Sequence, residues 1–156
     1  MAFSAFRQPQ PVVKVDGLGT ATGIMSTLDR SVATFLGLPY AEAPVGKMRY
    51  QPPQPHAPWA APLDATDFGS MCVQRPDAHH EKKQMSEDCL FLNVFTPAAA
   101  LSSSVKLPVM LWIHGGAYQS GAANDGIYRG DALVSAANQS VVAVTINYRL
   151  NVPTAR

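Results

Sequence analysis

Two nearly continuous apolar segments, separated by a stretch with helical spacing, constrain the fold more than any other feature of this sequence. The first, PVMLWIHG (108–115), ends on glycine, and the second, VVAVTINY (141–148), is rich in β-branched residues. Such runs are typical of strands that are buried on both faces. Between them, GDALVSAANQ (130–139) has helical spacing, with Asp131 as the expected cap. This order predicts a parallel strand–helix–strand crossover.

Shorter strand patterns precede this unit. The segment 11–26 reads as short strands broken by glycine turns, 31–46 begins as a strand, and LFLNVFTP (90–97) alternates in hydropathy. Most of the 13 prolines lie before residue 110, so we expect many loops and turns there, with Trp59 anchoring the proline-rich stretch 48–69. Short antiparallel strands followed by a parallel unit predict a mixed α/β sheet.

Composition limits the classes of partner. A chain of 156 residues can form one ordinary domain with a core, and its formal net charge of +1 gives no reason to expect a nucleic-acid partner. The longest apolar run is about as long as a strand, so no membrane span is expected. The N-terminus lacks a continuous apolar core of the kind found in secretory signals, so none is evident.

The two cysteines, Cys72 and Cys89, are open to two interpretations. They could form a disulfide or remain as two buried thiols, and composition favours neither. If they were joined, a closed loop of this size would add about 3 kcal/mol in the chain-entropy treatment.

The glycines that follow the first apolar segment form a candidate site. In open α/β sheets the chemistry lies beyond the carboxyl ends of the strands, where Gly115, Gly116 and Ala117 fall. Small residues there leave main-chain N–H groups uncovered, and two such groups can bind the oxygen of a tetrahedral intermediate. An ordinary strand-ending turn would also use glycine. We expect His114 to be a hydrogen-bonded structural residue rather than a base.

Four blocks of sequence, in this order, carry a specific resemblance. They are FLGLPYAEAPVGKMRYQPPQP (35–55), SEDCLFLNVFTP (86–97), LPVMLWIHGGAYQSG (107–121) and VVAVTINYRLN (141–151). From about Val15 to Val152 the chain resembles the type-B carboxylesterase/lipase family, which includes the cholinesterases and has an α/β-hydrolase fold. The resemblance implies the N-terminal part of that fold.

The resemblance implies a role for each residue of the glycine segment. The N–H groups of Gly116 and Ala117 would form an oxyanion hole, with a third donor from the residue after the nucleophilic serine. Alanine in place of the family's third glycine keeps the N–H group. Gly115 and Tyr118 would line the substrate pocket. The implied substrate of the full-length form is a small-molecule carboxylic ester, and neither a cofactor nor a metal is implied.

Two structural pairs are also implied. Cys72 and Cys89 match the family's disulfide around a surface loop, which is expected if the chain meets an oxidising compartment. Arg49 and Glu87 match a structural ion pair of the family, although two solvated charges would add little to stability. The cysteine pair is compatible with a secreted protein, whereas no signal is evident, so localisation stays open.

The nucleophile that this site would serve is not found in the sequence. The family places its serine at the centre of Gly-Xaa-Ser-Xaa-Gly, but the two glycine pairs with that spacing enclose Ala21 and Tyr128. No histidine stands where the family places its base. We therefore expect residues 1–156 to be the N-terminal portion of a single carboxylesterase domain, inactive alone. The alternatives are a cholinesterase-like binding or adhesion domain and a truncated gene-model product.

The first apolar strand has a consequence for solubility. In the family, the strand at 108–114 has its successor, 141–147, on one side and a strand from further along the chain on the other. Without that second neighbour it would present an apolar edge, which is an aggregation hazard. We therefore expect the isolated chain to be poorly soluble.

Overall fold

The computed structural model describes residues 10–76 and 85–151. Short strands come first, and a strand–helix–strand unit follows. The elements, in chain order, are β1 (Val12–Val15), β2 (Gly19–Thr22), β3 (Ile24–Met25), β4 (Val32–Pro39), β5 (Leu63–Asp64), β6 (Met71–Cys72), β7 (Met85–Ser86), β8 (Phe91–Pro97), β9 (Val109–Ile113), α1 (Gly130–Ala136) and β10 (Val142–Ile146), with 3₁₀ turns at Gly46–Met48 and Ala98–Ser102.

The main sheet has five strands in the order β3-β4-β8-β10-β9. The pairs β3–β4, β4–β8 and β8–β10 are antiparallel. In contrast, β10 and β9 are parallel, in a register that runs from Val142 opposite Val109 to Ile146 opposite Ile113. The mixed sheet predicted from the sequence is therefore confirmed, including the parallel unit at its end.

A smaller sheet packs at the N-terminal side. Its strands have the order β1-β2-β5, with β1 and β2 antiparallel and β2 and β5 parallel. Trp59 joins the proline-rich stretch to this sheet, because its main-chain N–H donates to the Leu18 carbonyl at 2.7 Å. Gly19 adopts a φ of +136°, and a Cβ there would lie 3.4 Å from the Trp59 ring. The indole thus packs on the strand at Gly19, where the positive φ and not the space beside the ring favours glycine.

The helix α1 connects β9 to β10 and packs on the inner strands of the sheet. Val134 on the helix lies in one buried cluster with Val32, Phe95 and Ala143. Gly130 opens the helix against the Phe95 ring, and a Cβ at Gly130 would come within 2.2 Å of that ring. Glycine at this position therefore allows the close approach of the helix to β8.

The expected capping role of Asp131 is wrong. The N-cap residue is Arg129, which makes no side-chain capping bond, and Asp131 lies inside the first turn. The Asp131 carboxylate instead accepts hydrogen bonds from the Arg129 guanidinium at 2.8 and 3.0 Å and from the Ser26 hydroxyl at 2.6 Å. One of these partners, Ser26, lies 105 residues away along the chain, so spacing along the helix could not reveal it.

The prediction that the first apolar strand is buried on both faces is also wrong. All five side chains of β9 are between 46 and 64% exposed, because β9 is the edge strand of the sheet. Burial of such a strand requires a paired strand on each side and cover on both faces. Among the described residues only β10 pairs with β9, and the contact of Trp112 with the Tyr128 ring covers β9 only in part. By contrast, β10 lies inside the sheet, and its side chains alternate between buried and half-buried.

Candidate functional site

The glycine segment follows β9 at the carboxyl end of the parallel pair, as the sequence predicts. Gly115, Gly116, Ala117 and Tyr118 are all exposed there. The backbone turns through left-handed conformations, with φ of +117° at Gly116, +54° at Ala117 and +58° at Tyr118. For residues other than glycine such conformations cost about 1–3 kcal/mol each and concentrate at functional sites. The segment is therefore a strained turn beyond the end of a strand.

The turn closes on itself through its glycines. The Gly116 carbonyl accepts hydrogen bonds from the N–H groups of Gln119 at 2.9 Å and Ser120 at 3.1 Å. A Cβ at Gly116 would lie 1.9 Å from the Ser120 carbonyl oxygen, so a side chain cannot be accommodated there. The turn is therefore closed by hydrogen bonds to the Gly116 carbonyl, and the main-chain N–H groups of Gly116 and Ala117 take no part in them.

The N–H groups of Gly116 and Ala117 are not used by the hydrogen bonds that close the turn. Within residues 10–76 and 85–151, neither group donates a hydrogen bond to another residue. Next to them is an open concavity of about 310 Å³. Its lining combines the turn with side chains from β9 and from beyond β10: Ile113, His114, Gly115, Ala117, Tyr118 and Tyr148. Of the two residues with an unpaired N–H group, Ala117 lines this concavity directly and Gly116 precedes it in the turn.

His114 holds the first peptide of the turn. Its side chain is 3% exposed, and its Nδ1 lies 2.9 Å from the Gly115 carbonyl oxygen. Because a carbonyl can only accept, Nδ1 carries the proton in this contact. The Gly115 carbonyl and the Gly116 N–H belong to one planar peptide, so this hydrogen bond also orients the Gly116 N–H. His114 is thus a structural, hydrogen-bonded residue, in line with the expectation from the sequence.

Tyr148 contacts both the ring and the main-chain carbonyl of His114. The two rings stack with centroids 4.3 Å apart, and the Tyr148 hydroxyl donates to the His114 carbonyl at 2.7 Å. Burial raises the pKa of Tyr148, and the nearby Tyr118 raises it further. The hydroxyl therefore keeps its proton and its donor role at neutral pH. Tyr118 meets Tyr148 edge-on at 6.0 Å and is 76% exposed over the concavity.

Cys72 and Cys89 form a disulfide, and both are buried. The bridge joins Cys72, at the end of β6, to Cys89, which lies two positions before the start of β8. Part of the polar loop between the cysteines, 77–84, lies outside the described residues. The two cysteines share a buried cluster with Ala41, Leu90 and Leu150. The bridge therefore ties this loop to the core next to the segment that follows β10.

Arg49 and Glu87 form an ion pair, with 2.5 Å between Nη2 and Oε2. Their side chains are about one-third and one-quarter exposed. The hydrogen bond and the negative charge of Glu87 raise the pKa of Arg49. The pair lines a small cavity of about 230 Å³ that also touches both cysteines. The ion pair connects the N-terminal region to the disulfide loop.

Two buried amides near the site were not identified from the sequence. Asn147 accepts from the Ala123 N–H at 2.7 Å and donates to the Ser70 carbonyl at 3.0 Å. Gln74 binds the main chain of Gly121 through both atoms of its amide. The sequence could have indicated Asn147, because a polar residue directly after the apolar run of β10 needs hydrogen-bond partners if it is buried. Gln74 lies in a polar loop, where no pattern distinguished it.

Neither a metal site nor a membrane-spanning helix is found in the part of the chain that the structure describes. No group of three or more His, Cys, Asp or Glu side chains could hold a metal ion among these residues. Likewise, none of the helices in residues 10–76 and 85–151 combines the length and the apolar character needed to cross a bilayer.

A family model and individual proteins of known sequence match this chain, and these matches are to esterases. The family model described as "Carboxylesterase family" matches residues 9–153. The para-nitrobenzyl esterase of Bacillus subtilis (strain 168) is 44% identical over 131 residues, which cover 81% of this chain and 26% of that protein. The acetylcholinesterase of Electrophorus electricus is 42% identical over 134 residues, covering 79% of this chain and 20% of that protein.

Solved structures with a similar fold are also esterases. A solved structure of PNB esterase superposes with a TM-score of 0.77 at 40% identity, covering 89% of this chain and 28% of that one. A second PNB esterase structure gives a TM-score of 0.75, also at 40% identity. The chain spans about a quarter of the length of these proteins, so the mixed sheet is part of an α/β-hydrolase fold. On both sequence and fold, this chain belongs to the carboxylesterase family.

Proposed function

We propose that this chain supplies the oxyanion-binding part of a carboxylic ester hydrolase that works through an acyl-serine intermediate. The observation that carries the proposal is the pair of unpaired N–H groups on the strained turn at Gly116 and Ala117. In hydrolysis, the carbonyl oxygen of the ester gains negative charge as the tetrahedral intermediate forms. Donors that are already in place stabilise that charge without reorganising, and each is worth about 3–4 kcal/mol.

The substrate class is a small-molecule carboxylic ester. Relatives are named for esters or thioesters: a para-nitrobenzyl esterase, an acetylcholinesterase and a medium-chain fatty acyl-CoA hydrolase. In the concavity beside the turn, Gly115 and Tyr118 would border the reacting carbonyl, and the exposed Tyr118 ring offers an apolar face for an acyl or alcohol group.

The nucleophile, the acid and the base are proposed to lie outside residues 1–156. None of the glycine pairs with the required spacing encloses a serine. An oxyanion hole without a triad gives only residual catalysis. Residues 1–156 alone should therefore not hydrolyse 4-nitrophenyl acetate above background. Turnover by the purified chain that a serine-directed phosphonate abolishes would contradict this.

The oxyanion role is tested in a chimera, in which this chain replaces the matching first quarter of the Bacillus subtilis para-nitrobenzyl esterase. Ala117 is then replaced by lactic acid, which exchanges its N–H for an ester oxygen and keeps the methyl group. The control is the same replacement at Ala61, which is exposed in a loop. We expect kcat for 4-nitrophenyl acetate to fall by about 10²–10³ at Ala117 and to stay within about twofold at Ala61. An active chimera that is insensitive at Ala117 would refute the proposal.

A further inference from the structure

We propose that Gln74 is a positioning residue for the glycine turn, holding Gly121 against the Gly115–Gly116 peptide and so fixing the direction of the Gly116 N–H. The effect of Gln74 on catalysis rests on the proposed function. The contact between Gln74 and Gly121 does not depend on any reaction. It also gives the disulfide loop a role in the site, since Gln74 lies two residues after Cys72.

The contact uses the whole side-chain amide of Gln74. Its Oε1 accepts from the Gly121 N–H at 2.8 Å, and its Nε2 donates to the Gly121 carbonyl at 3.0 Å and to the Cys72 carbonyl at 3.2 Å. Gln74 is only 6% exposed. A buried amide that pairs with both polar groups of one residue's main chain fixes the position and the orientation of that residue.

Gly121 transmits this position to the start of the turn. Its φ is +111°, and a Cβ there would lie 2.6 Å from the Gly115 carbonyl oxygen and 2.4 Å from His114 Nδ1. The Gly121 backbone therefore packs directly against the Gly115 carbonyl and the imidazole bonded to it. Because that carbonyl shares a planar peptide with the Gly116 N–H, displacement of Gly121 lets the peptide rotate and turns the donor away.

The disulfide fixes the other end of the contact. Cys72 supplies one of the carbonyl acceptors for Gln74, and its sulfur is bonded to Cys89 at the entrance to β8. Gln74 is thus anchored to the core of the sheet while it holds the turn. A series of contacts therefore runs from the sheet through the Cys72–Cys89 disulfide and the Gln74 side chain to Gly121, which packs against the peptide that carries the Gly116 N–H.

The test is a substitution whose effect depends on pH. In Gln74→Glu, a protonated carboxyl can still donate to the Gly121 carbonyl and accept from its N–H. An ionised carboxylate would face the carbonyl oxygens of Gly121 and Cys72 and would repel both. These oxygens and burial raise the pKa of such a carboxyl, so the contact should be intact at pH 5 and lost at pH 8. In Gln74→Leu the contact is absent at both pH values.

The measurement is hydrogen exchange at the Gly121 amide, by NMR of 15N-glycine-labelled chain, with each rate divided by the intrinsic rate at that pH. We expect protection at both pH values in the wild type, a loss of about tenfold at pH 8 alone in Gln74→Glu, and a loss at both in Gln74→Leu. Core amides in β8 and β10 should stay protected throughout. Unchanged Gly121 protection in a folded variant, or global unfolding of Gln74→Glu at pH 8, would overturn the proposal.

Activity of the chimera separates the two proposals. If Gln74 positions the donor, kcat of Gln74→Glu should fall reversibly between pH 5 and pH 8 relative to the wild type, with KM nearly unchanged. Loss of Gly121 protection with unchanged kcat would refute the positioning role. Failure of the proposed function would instead show as insensitivity of kcat to the Ala117 replacement, whatever Gln74 does.

Discussion

The hydroxyl of Tyr148 donates a hydrogen bond to the His114 main-chain carbonyl at 2.7 Å, and its ring stacks on the His114 imidazole 4.3 Å away. The two residues follow the neighbouring parallel strands β9 and β10, so the contact ties the segment after β10 to the start of the glycine turn. The same imidazole bonds to the Gly115 carbonyl. Tyr148 therefore stabilises the residue that orients the candidate donor, and it does so from outside the turn.

Removal of this hydroxyl should cost stability. In Tyr148→Phe the ring stack is kept and the His114 carbonyl loses a donor, so the free energy of unfolding should fall by about 0.5–1.5 kcal/mol. The matched control is Tyr118→Phe, because Tyr118 is 76% exposed. Urea unfolding followed by fluorescence measures both. Equal stability of wild type and Tyr148→Phe would show that water replaces the bond without cost.

The disulfide should contribute more than any single hydrogen bond. Cys72 and Cys89 are 17 positions apart, and closing a loop of this size stabilises by about 3 kcal/mol. Reduction with dithiothreitol should lower the free energy of unfolding by about that amount. The Cys72→Ser, Cys89→Ser double variant should match the reduced chain and should not respond to dithiothreitol. A wild type with the same stability in both redox states would contradict the prediction.

Asp131 should make stability depend on acid pH. The hydrogen bonds from Arg129 lower the pKa of Asp131 below its ordinary value, and the hydrogen bond from Ser26 adds to the effect against the opposing contribution of burial. A carboxyl whose pKa is lower in the folded state stabilises the protein above its unfolded pKa. That contribution is lost as pH falls through the folded pKa. The wild type should therefore lose stability below about pH 4 more steeply than Asp131→Asn does.

The substitution has a matched control. At pH 7, Asp131→Asn should lower the free energy of unfolding by about 1–3 kcal/mol, because it weakens the hydrogen bonds from Arg129 and Ser26. Asp16→Asn, at an exposed position, should change it by less than about 0.5 kcal/mol. Urea unfolding between pH 3 and pH 7 measures all three proteins. Parallel pH profiles for the wild type and Asp131→Asn would argue against the assignment.

The exposed edge of the sheet should cause self-association. The β9 side chains are about half exposed, and the outer edge of the strand has no partner among residues 10–76 and 85–151. Charged residues on edge strands oppose pairing between copies. Leu111→Lys should therefore reduce the associated fraction in sedimentation velocity. Val105→Lys, in an exposed loop before β9, should not. A monomeric wild type that melts sharply would contradict the expectation of poor solubility.

Several parts of the molecule follow from local sequence patterns. The parallel unit was predictable because β9 and β10 are apolar runs of strand length and the segment between them has helical spacing. The turn at Gly116 follows from its glycines, whereas the left-handed backbone at Ala117 and Tyr118 was not predicted. The four sequence blocks identify the family. The cysteine pairing came from the same resemblance, since two cysteines by themselves do not distinguish a disulfide from two thiols.

Other features were decided by contacts between distant parts of the chain. The sequence alone determined which segments become strands and where the turn lies, because these depend on hydropathy and on glycine at single positions. Only the tertiary structure decided that Asp131 bonds to Ser26 instead of capping α1, and that Gln74 binds Gly121. These outcomes depend on which groups meet in space, and the polar partners lie 105 and 47 residues apart along the chain.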